Sequence, residues 1–541
     1  MKSNPTRFWW TVIALGWVFD FLFWEKGAGI NFAIYVALCV GTGYLLLRLD
    51  GQAPAKQTSW LLLPMALTLI ITVIRREPMT VFLAYVTTLT IMVVFTLTYT
   101  GGRWLQYSML DYLGGFFRLL GSMIASPLGF SAEIKRKVAE KGEQDEVRKR
   151  GASQVWPVVR GILIALPIVA IFAGLLASAD LIFQQRLEAF IELFNIENLP
   201  EYLFRMFYIL IFAYALAGVY LHAASKSSDE KLIGEEKPLT PAFLGFVEAS
   251  IVLGSVVALF TIFVIIQFQY FFGGQANISI EGYTYSEYAR RGFGELVTVA
   301  FFSLLLLLGL SGITQRKGRT RRQAFSVLGI ALVSLVIVML ASAFDRLLLY
   351  ESAYGFSRLR TYTHVFILWL GALLVAVILL EILERQRAFA LAAVLASLGF
   401  VLSLGFMNVD GFIVKQNVKR AVESAEASVS QTGRAAFDSS YLSDLSLDAV
   451  PALAKAYQTQ PLPASVKDGV GAALKCYQVG LTDKEPYPWQ AFHLSRWTAE
   501  RILRSLESDL AKYQLDDEVE WLDVVITPLG EEYHCAIFFW D

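Results

Sequence analysis

Two short tracts hold most of the side chains that can do chemistry. "YTYSEYARRGFGELV" brings Tyr285, Tyr288, Arg290, Arg291 and Glu295 into one run. "FDRLLLYESAYGFSRLRTYTH" does the same for Asp345, Arg346, Tyr350, Tyr354, Arg358 and Arg360. Guanidinium groups ringed by tyrosines can clamp a phosphate or a carboxylate through paired, charge-assisted hydrogen bonds. They can equally pair with Glu295 and Asp345, and both readings stay open. Thr284 and Glu287 make a capping-box pattern, so a helix can begin inside the first tract. A third candidate is Glu248, a lone carboxylate a short way into an apolar run, where ionisable groups are expensive and often functional. The four histidines, His222, His364, His493 and His534, stand apart from one another. No P-loop, GxGxxG, HExxH or GxSxG pattern is present. No cofactor and no metal site is implied.

These tracts sit at the mouths of long apolar runs. The chain has 541 residues, of which 56% are hydrophobic and only 17% charged. Soluble domains usually carry about 25% charged residues. Runs of roughly 20 apolar residues read as membrane-crossing helices. The candidates are 8–24, 29–47, 59–75, 79–99, 156–178, 202–222, 243–268, 293–313, 324–344, 362–382 and 389–407. The fold class is therefore an all-α polytopic membrane protein of about eleven transmembrane helices, with a different kind of domain after them.

Lysine and arginine bias sets the threading. With the N-terminus in the cytoplasm, inner segments carry about 23 of these residues and outer loops about 9. The basic blocks "EIKRKVAEKGEQDEVRKR" and "QRKGRTRRQ" then face inward. The C-terminal domain falls outside the cell membrane, and both tyrosine–arginine tracts lie at outer ends of spans. They would form an outer vestibule. Residues 1–408 make the transmembrane domain. Within it, 101–155 is an amphipathic and basic cytoplasmic segment, and "WLQYSMLDYLGGFFRLLGSMI" is expected to lie on the inner leaflet and grip anionic lipids. A second surface helix is expected over 181–196. A net charge of -1 gives no reason to expect nucleic acid. The expected partners are the bilayer, anionic lipids, and an anionic ligand or envelope protein.

Residues 409–541 are more polar and mostly helical. "PWQAFHLSRWTAERILRSLESDLAKY" reads as one long helix with Pro488 in its first turn. Two β-rich runs around Pro528-Leu529-Gly530 predict a terminal hairpin. Cys476 and Cys535 both lie in this domain, so an oxidising compartment allows a disulfide without spacing proving one. Cys39 is a small apolar filler of the second span.

The blocks "FDFLFW", "VIIQFQYFFGG", "YTYSEYARRGFGELV", "LYESAYGFSRLRTYTHVFILWL" and "MNVDGFIVKQNVKRA" resemble those of a bacterial membrane family, domain of unknown function 4173, whose close neighbour is domain of unknown function 4153. The resemblance runs from the first span to about Ala421. It implies a multi-span bacterial envelope protein and brings no activity with it. The expected function is non-enzymatic transport, sensing or envelope assembly, with a ligand, lipid or partner at the outer vestibule. Two alternatives remain. Asp20 and Glu25 can serve as carboxylates of a polyprenyl-sugar-dependent glycosyltransferase, although the first outer loop is very short for one. Glu248 can serve an ion-coupled carrier.

Overall fold

A computed structural model describes residues 4–142, 155–193, 198–227, 232, 242–271, 293–316, 318–426, 437–459, 461–482, 487–516 and 524–535. Its helices in chain order are α1 (Pro5–Phe23), α2 (Ile30–Leu49), α3 (Lys56–Ser59), α4 (Leu62–Ile74), α5 (Pro78–Leu97), α6 (Met109–Gly142), α7 (Val155–Ala179), α8 (Leu181–Leu193), α9 (Leu199–Ser225) and α10 (Phe246–Phe271). There follow α11 (Phe293–Ile313), α12 (Arg319–Tyr354), α13 (Arg358–Ile382), α14 (Phe389–Met407), α15 (Val409–Glu426), α16 (Val450–Thr459), α17 (Ala464–Thr482), α18 (Leu494–Ser505) and α19 (Glu507–Leu510). Three short strands close the chain: β1 (Gln514–Asp516), β2 (Val524–Ile526) and β3 (Glu532–His534).

Among the described residues ten helices are long and apolar enough to cross a membrane, and nine of them coincide with expected spans. The tenth is Met109–Arg136 in α6, which the sequence placed on the membrane surface. The expected span 8–24 forms α1. The expected span 156–178 forms α7, whose described apolar part is the shorter Pro167–Ala179. The all-α polytopic class holds.

The chain divides into two compact units, one of residues 1–25, 35–54 and 115–228, the other of 26–34, 55–114 and 229–541. In the first, α1 and α9 pack antiparallel. Among the described residues, α6 meets α9 toward the C-terminal end of α9. Tyr214 donates to the Ile124 carbonyl at 2.6 Å, and His222 Nδ1 lies 2.8 Å from Ser122 Oγ. A Cβ on Gly218 would come 2.4 Å from the Met123 Cα, so only glycine permits that crossing. Phe130 then packs edge-on against Phe8 near the start of α1. Helix α6 thus crosses α9 near one end instead of pairing along it.

In the second unit, α12 is a single helix of 36 residues, about 54 Å at 1.5 Å per residue. That is longer than the hydrocarbon core of a bilayer, about 30 Å. Asp345, Arg346, Tyr350 and Tyr354 therefore continue the span as helix, where the sequence suggested a polar connection. The chain breaks only at Gly355–Ser357, where Gly355 takes a φ of 83°.

The C-terminal segment packs its own core and extends it onto helix ends. Ile413, Val414, Leu453, Leu474, Tyr477 and Val525 are fully buried together, and Val365 of α13 and Leu404 of α14 join the same cluster. Cys476 and Cys535 form a disulfide with 5.5 Å between Cα atoms. The expected hairpin is β2–β3, with Val525 opposite Tyr533 and a turn closed by the Gly530 N–H to the Thr527 carbonyl, 2.8 Å. Strand β1 pairs on the other side of β2, which the sequence did not reveal.

The expected long helix after Pro488 does not form as one piece. Trp489–Ala491 is a 3₁₀ turn, residues 492–493 are extended, and α18 begins at Leu494. The extended step docks on the loop before α2. Ile30 N–H donates to the Phe492 carbonyl at 3.0 Å, and His493 Nε2 donates to the Ala28 carbonyl at 2.7 Å. A Cβ on Gly29 would sit 2.5 Å from the Ala491 carbonyl carbon. Continuous helix would draw the Phe492 carbonyl into its own ladder, so tertiary contact overrides local propensity here.

Candidate functional site

Tyr285, Tyr288, Arg290 and Arg291 lie outside the described residues, so the first tract is represented by Glu295, which is exposed in the first turn of α11. The second tract is well defined. Arg360 donates to the Gly355 carbonyl and stacks over the Tyr350 ring at 4.2 Å, and Tyr350 packs on Tyr354 at 5.0 Å. Asp345 and Arg346 are half-buried on α12. Arg358 is already engaged. Its Nε and Nη2 donate to the two oxygens of Asp410 at 2.9 and 2.8 Å, and Asp410 is fully buried.

Asp410 belongs to a network that sequence reasoning did not foresee. Its Oδ2 also accepts from Ser446 N–H at 2.7 Å, while Arg358 N–H donates to Tyr441 Oη at 2.9 Å. Nearby, Asp448 Oδ2 accepts the main-chain N–H groups of Arg76 and Glu77 at 2.8 and 2.9 Å. Burial pushes the Asp448 carboxyl above its usual range. Glu77 caps α5 by accepting from Met79 and Thr80 N–H at 2.9 and 2.8 Å, and also receives the Thr80 and Tyr362 hydroxyls. Asn408, at a φ of 54°, donates to the Asp448 carbonyl at 3.0 Å. The turns 75–78, 355–358 and 408–410 are thereby tied to residues 441–448. Glu77 followed by Pro78 is a readable cap signal. Asp410 and Asp448 carried no local signal, because their partners are remote in sequence.

Beside this network a cleft of about 570 Å³ opens along α17, α18 and the 487–493 step. Two guanidinium groups lie near the Tyr487 ring, Arg496 at 4.0 Å from its centre and Arg76 at 5.8 Å. Arg496 Nε donates to Glu500 at 2.8 Å, and Arg504 reaches the other Glu500 oxygen at 3.7 Å. Trp489 and Trp497 stand on the rim, each about half exposed. Burial lowers the pKa of His493 in the wall, which keeps it neutral as a donor to Ala28. Both Glu500 oxygens face guanidinium groups, so the cleft offers aromatic faces and an ordered Arg–Glu–Arg row: groups that bind.

The carboxylates of the alternative readings have other duties. Asp20 is buried and accepts from Arg205 Nε and Nη2 at 2.9 and 2.6 Å and from the Tyr208 hydroxyl. Glu25 is exposed. Glu248 accepts the Gly245 N–H at 2.6 Å in the first turn of α10, at the end of the span and not inside it. Among the described residues no group of three His, Cys, Asp or Glu side chains is placed to hold a metal ion.

No curated protein and no solved structure matches this chain. A family model does, over residues 62–456, from the start of α4 into α16. It is the neighbour of the family that the sequence blocks resembled. The chain is a multi-pass membrane protein that belongs to the family described as Domain of unknown function (DUF4153).

Proposed function

We propose that this protein is a non-enzymatic component of the cell envelope that binds a ligand or partner on an extracytoplasmic domain. In this reading the N-terminus is cytoplasmic, and the cleft bounded by Trp489, Trp497 and the Arg496–Glu500–Arg504 row faces outward. Three features support it. The lysine and arginine bias favours this threading. A Cys476–Cys535 disulfide suits an oxidising compartment. The domain bearing the cleft is fixed by buried charges to the same ends of several candidate spans, which suits a rigid sensing or assembly platform.

The observation that carries the reading is the cleft itself, aromatic on its rim and held in shape by paired charges. It can be tested with single cysteines at Glu507 and Trp489, since Cys39 is buried and the other two cysteines are paired. A membrane-impermeant maleimide is expected to label both positions on intact cells. A membrane extract containing the ligand is expected to slow labelling at Trp489→Cys and leave Glu507→Cys less affected. Labelling only after the membrane is opened would refute the placement, and equal labelling rates with and without extract would refute the binding.

A further inference from the structure

The cleft lies at a depth that can be read from its neighbours. Phe492 accepts from Ile30 N–H, and Ile30 is the first residue of α2, a candidate span. Tyr487 packs against Arg76, which precedes α5, another candidate span. Residues 487–497 therefore sit where spans enter the lipid, at headgroup level. At that level the domain exposes Trp489, Phe492, Leu494 and Trp497. Tryptophans concentrate at membrane–water interfaces because the ring is apolar and its N–H is not. The polar side of the cleft is balanced in charge: Arg496 and Arg504 against Glu500 and Glu507. Arg496 is nearly buried and fixed on Glu500, whereas the Arg504 side chain is 79% exposed. Glu507 is exposed at the start of α19, three residues further on.

We propose that the cleft seats the headgroup of one zwitterionic glycerophospholipid of the adjoining leaflet. The phosphate meets Arg504, the ammonium meets Glu507, and Trp489 and Trp497 flank the boundary with the acyl chains. A singly anionic headgroup would satisfy the arginine and leave Glu507 facing a negative ligand. The inference rests on the binding role proposed above and names its ligand class.

The test is native mass spectrometry of the full chain in detergent, titrated with phosphatidylethanolamine or phosphatidylglycerol of the same acyl chains. Wild type is expected to retain phosphatidylethanolamine at least tenfold more tightly. Glu507→Gln and Glu507→Lys, at an exposed position, are expected to abolish that preference with unchanged thermal unfolding, while Trp489→Ala weakens retention of both lipids. Equal retention of the two lipids, or a preference untouched by both Glu507 variants, would overturn the assignment. A different bound mass that Trp489→Ala removes would overturn the lipid and leave a binding cleft standing. If no bound mass responds to Trp489→Ala, both readings fall. Should one variant unfold early, the other still decides.

Discussion

Arg358 and Asp410 allow a quantitative test of how the C-terminal segment is held. Asp410 is fully buried, while the Arg358 side chain keeps 20% of its exposure. Arg358→Met leaves a buried carboxylate with Ser446 N–H as its remaining described donor. Breaking one side of a buried pair typically costs about 3–5 kcal/mol. Asp410→Asn leaves the arginine charge unpaired but partly wet, and the loss should be nearer 2–3 kcal/mol, the scale of hydrogen bonds to a charged group. The double variant buries neither charge, so its loss should fall short of the sum by about 2–3 kcal/mol. The assay is denaturant unfolding in detergent micelles, followed by tryptophan fluorescence with the disulfide intact. Arg360→Met is the control. Its guanidinium rests on the Tyr350 ring and one carbonyl, and the change should cost about 1 kcal/mol. Single losses that simply add to within about 0.5 kcal/mol would show that the pair does not hold the segment in place.

Replacing both Cys476 and Cys535 by Ala opens a loop with a sequence separation of 59 and should cost roughly 2–4 kcal/mol, measured by the same unfolding assay. His493 is neutral in the fold, with its pKa held below the usual 6.5 by burial. Its contribution is present above about 6.5 and is lost as pH falls toward the lowered value, because the unfolded chain takes up the proton first. His493→Gln should therefore flatten stability against pH below 6.5 relative to wild type in paired unfolding curves. Glu248→Gln should change stability by less than about 1 kcal/mol, since it alters one cap at a helix start. A coupled-transport assay in vesicles that lost its signal in this variant would revive the carrier reading.

The legible features were those written in local pattern. Apolar runs marked nine of the ten candidate spans, and Pro528-Leu529-Gly530 marked the hairpin. The family resemblance reached the right neighbourhood and named the adjacent family. What escaped was set by remote contacts. Strand β1 has three residues, too few for alternation to show. The helix after Pro488 breaks because Phe492 and His493 must meet Ala28 and Ile30, more than four hundred positions away. The arginine chosen as a ligand clamp, Arg358, was visible, whereas its acceptor Asp410 was quoted only as part of a family block. A chemistry-bearing residue can be found by type, but the partner that decides its role is found only in the fold.

That decision limits the mechanisms open to the second unit. The turns after α4, before α13 and after α14 are bound to residues 441–448 by carboxylates that are fully or nearly fully buried. A rocking motion that separated these ends from residues 441–448 would strip Asp448 of the Arg76 and Glu77 N–H groups and Asp410 of the Ser446 N–H. Each native hydrogen bond to a carboxylate lost in this way costs about 1.5–3 kcal/mol. A ligand's binding energy would have to cover both losses at once. These ends therefore move as one body with the domain. Conformational change in this unit, if a ligand drives any, lies more readily in helices outside the network, such as α10 and α11. A platform fixed to one end of these candidate spans is what remains, and it favours binding at that end over passage through this part of the bundle.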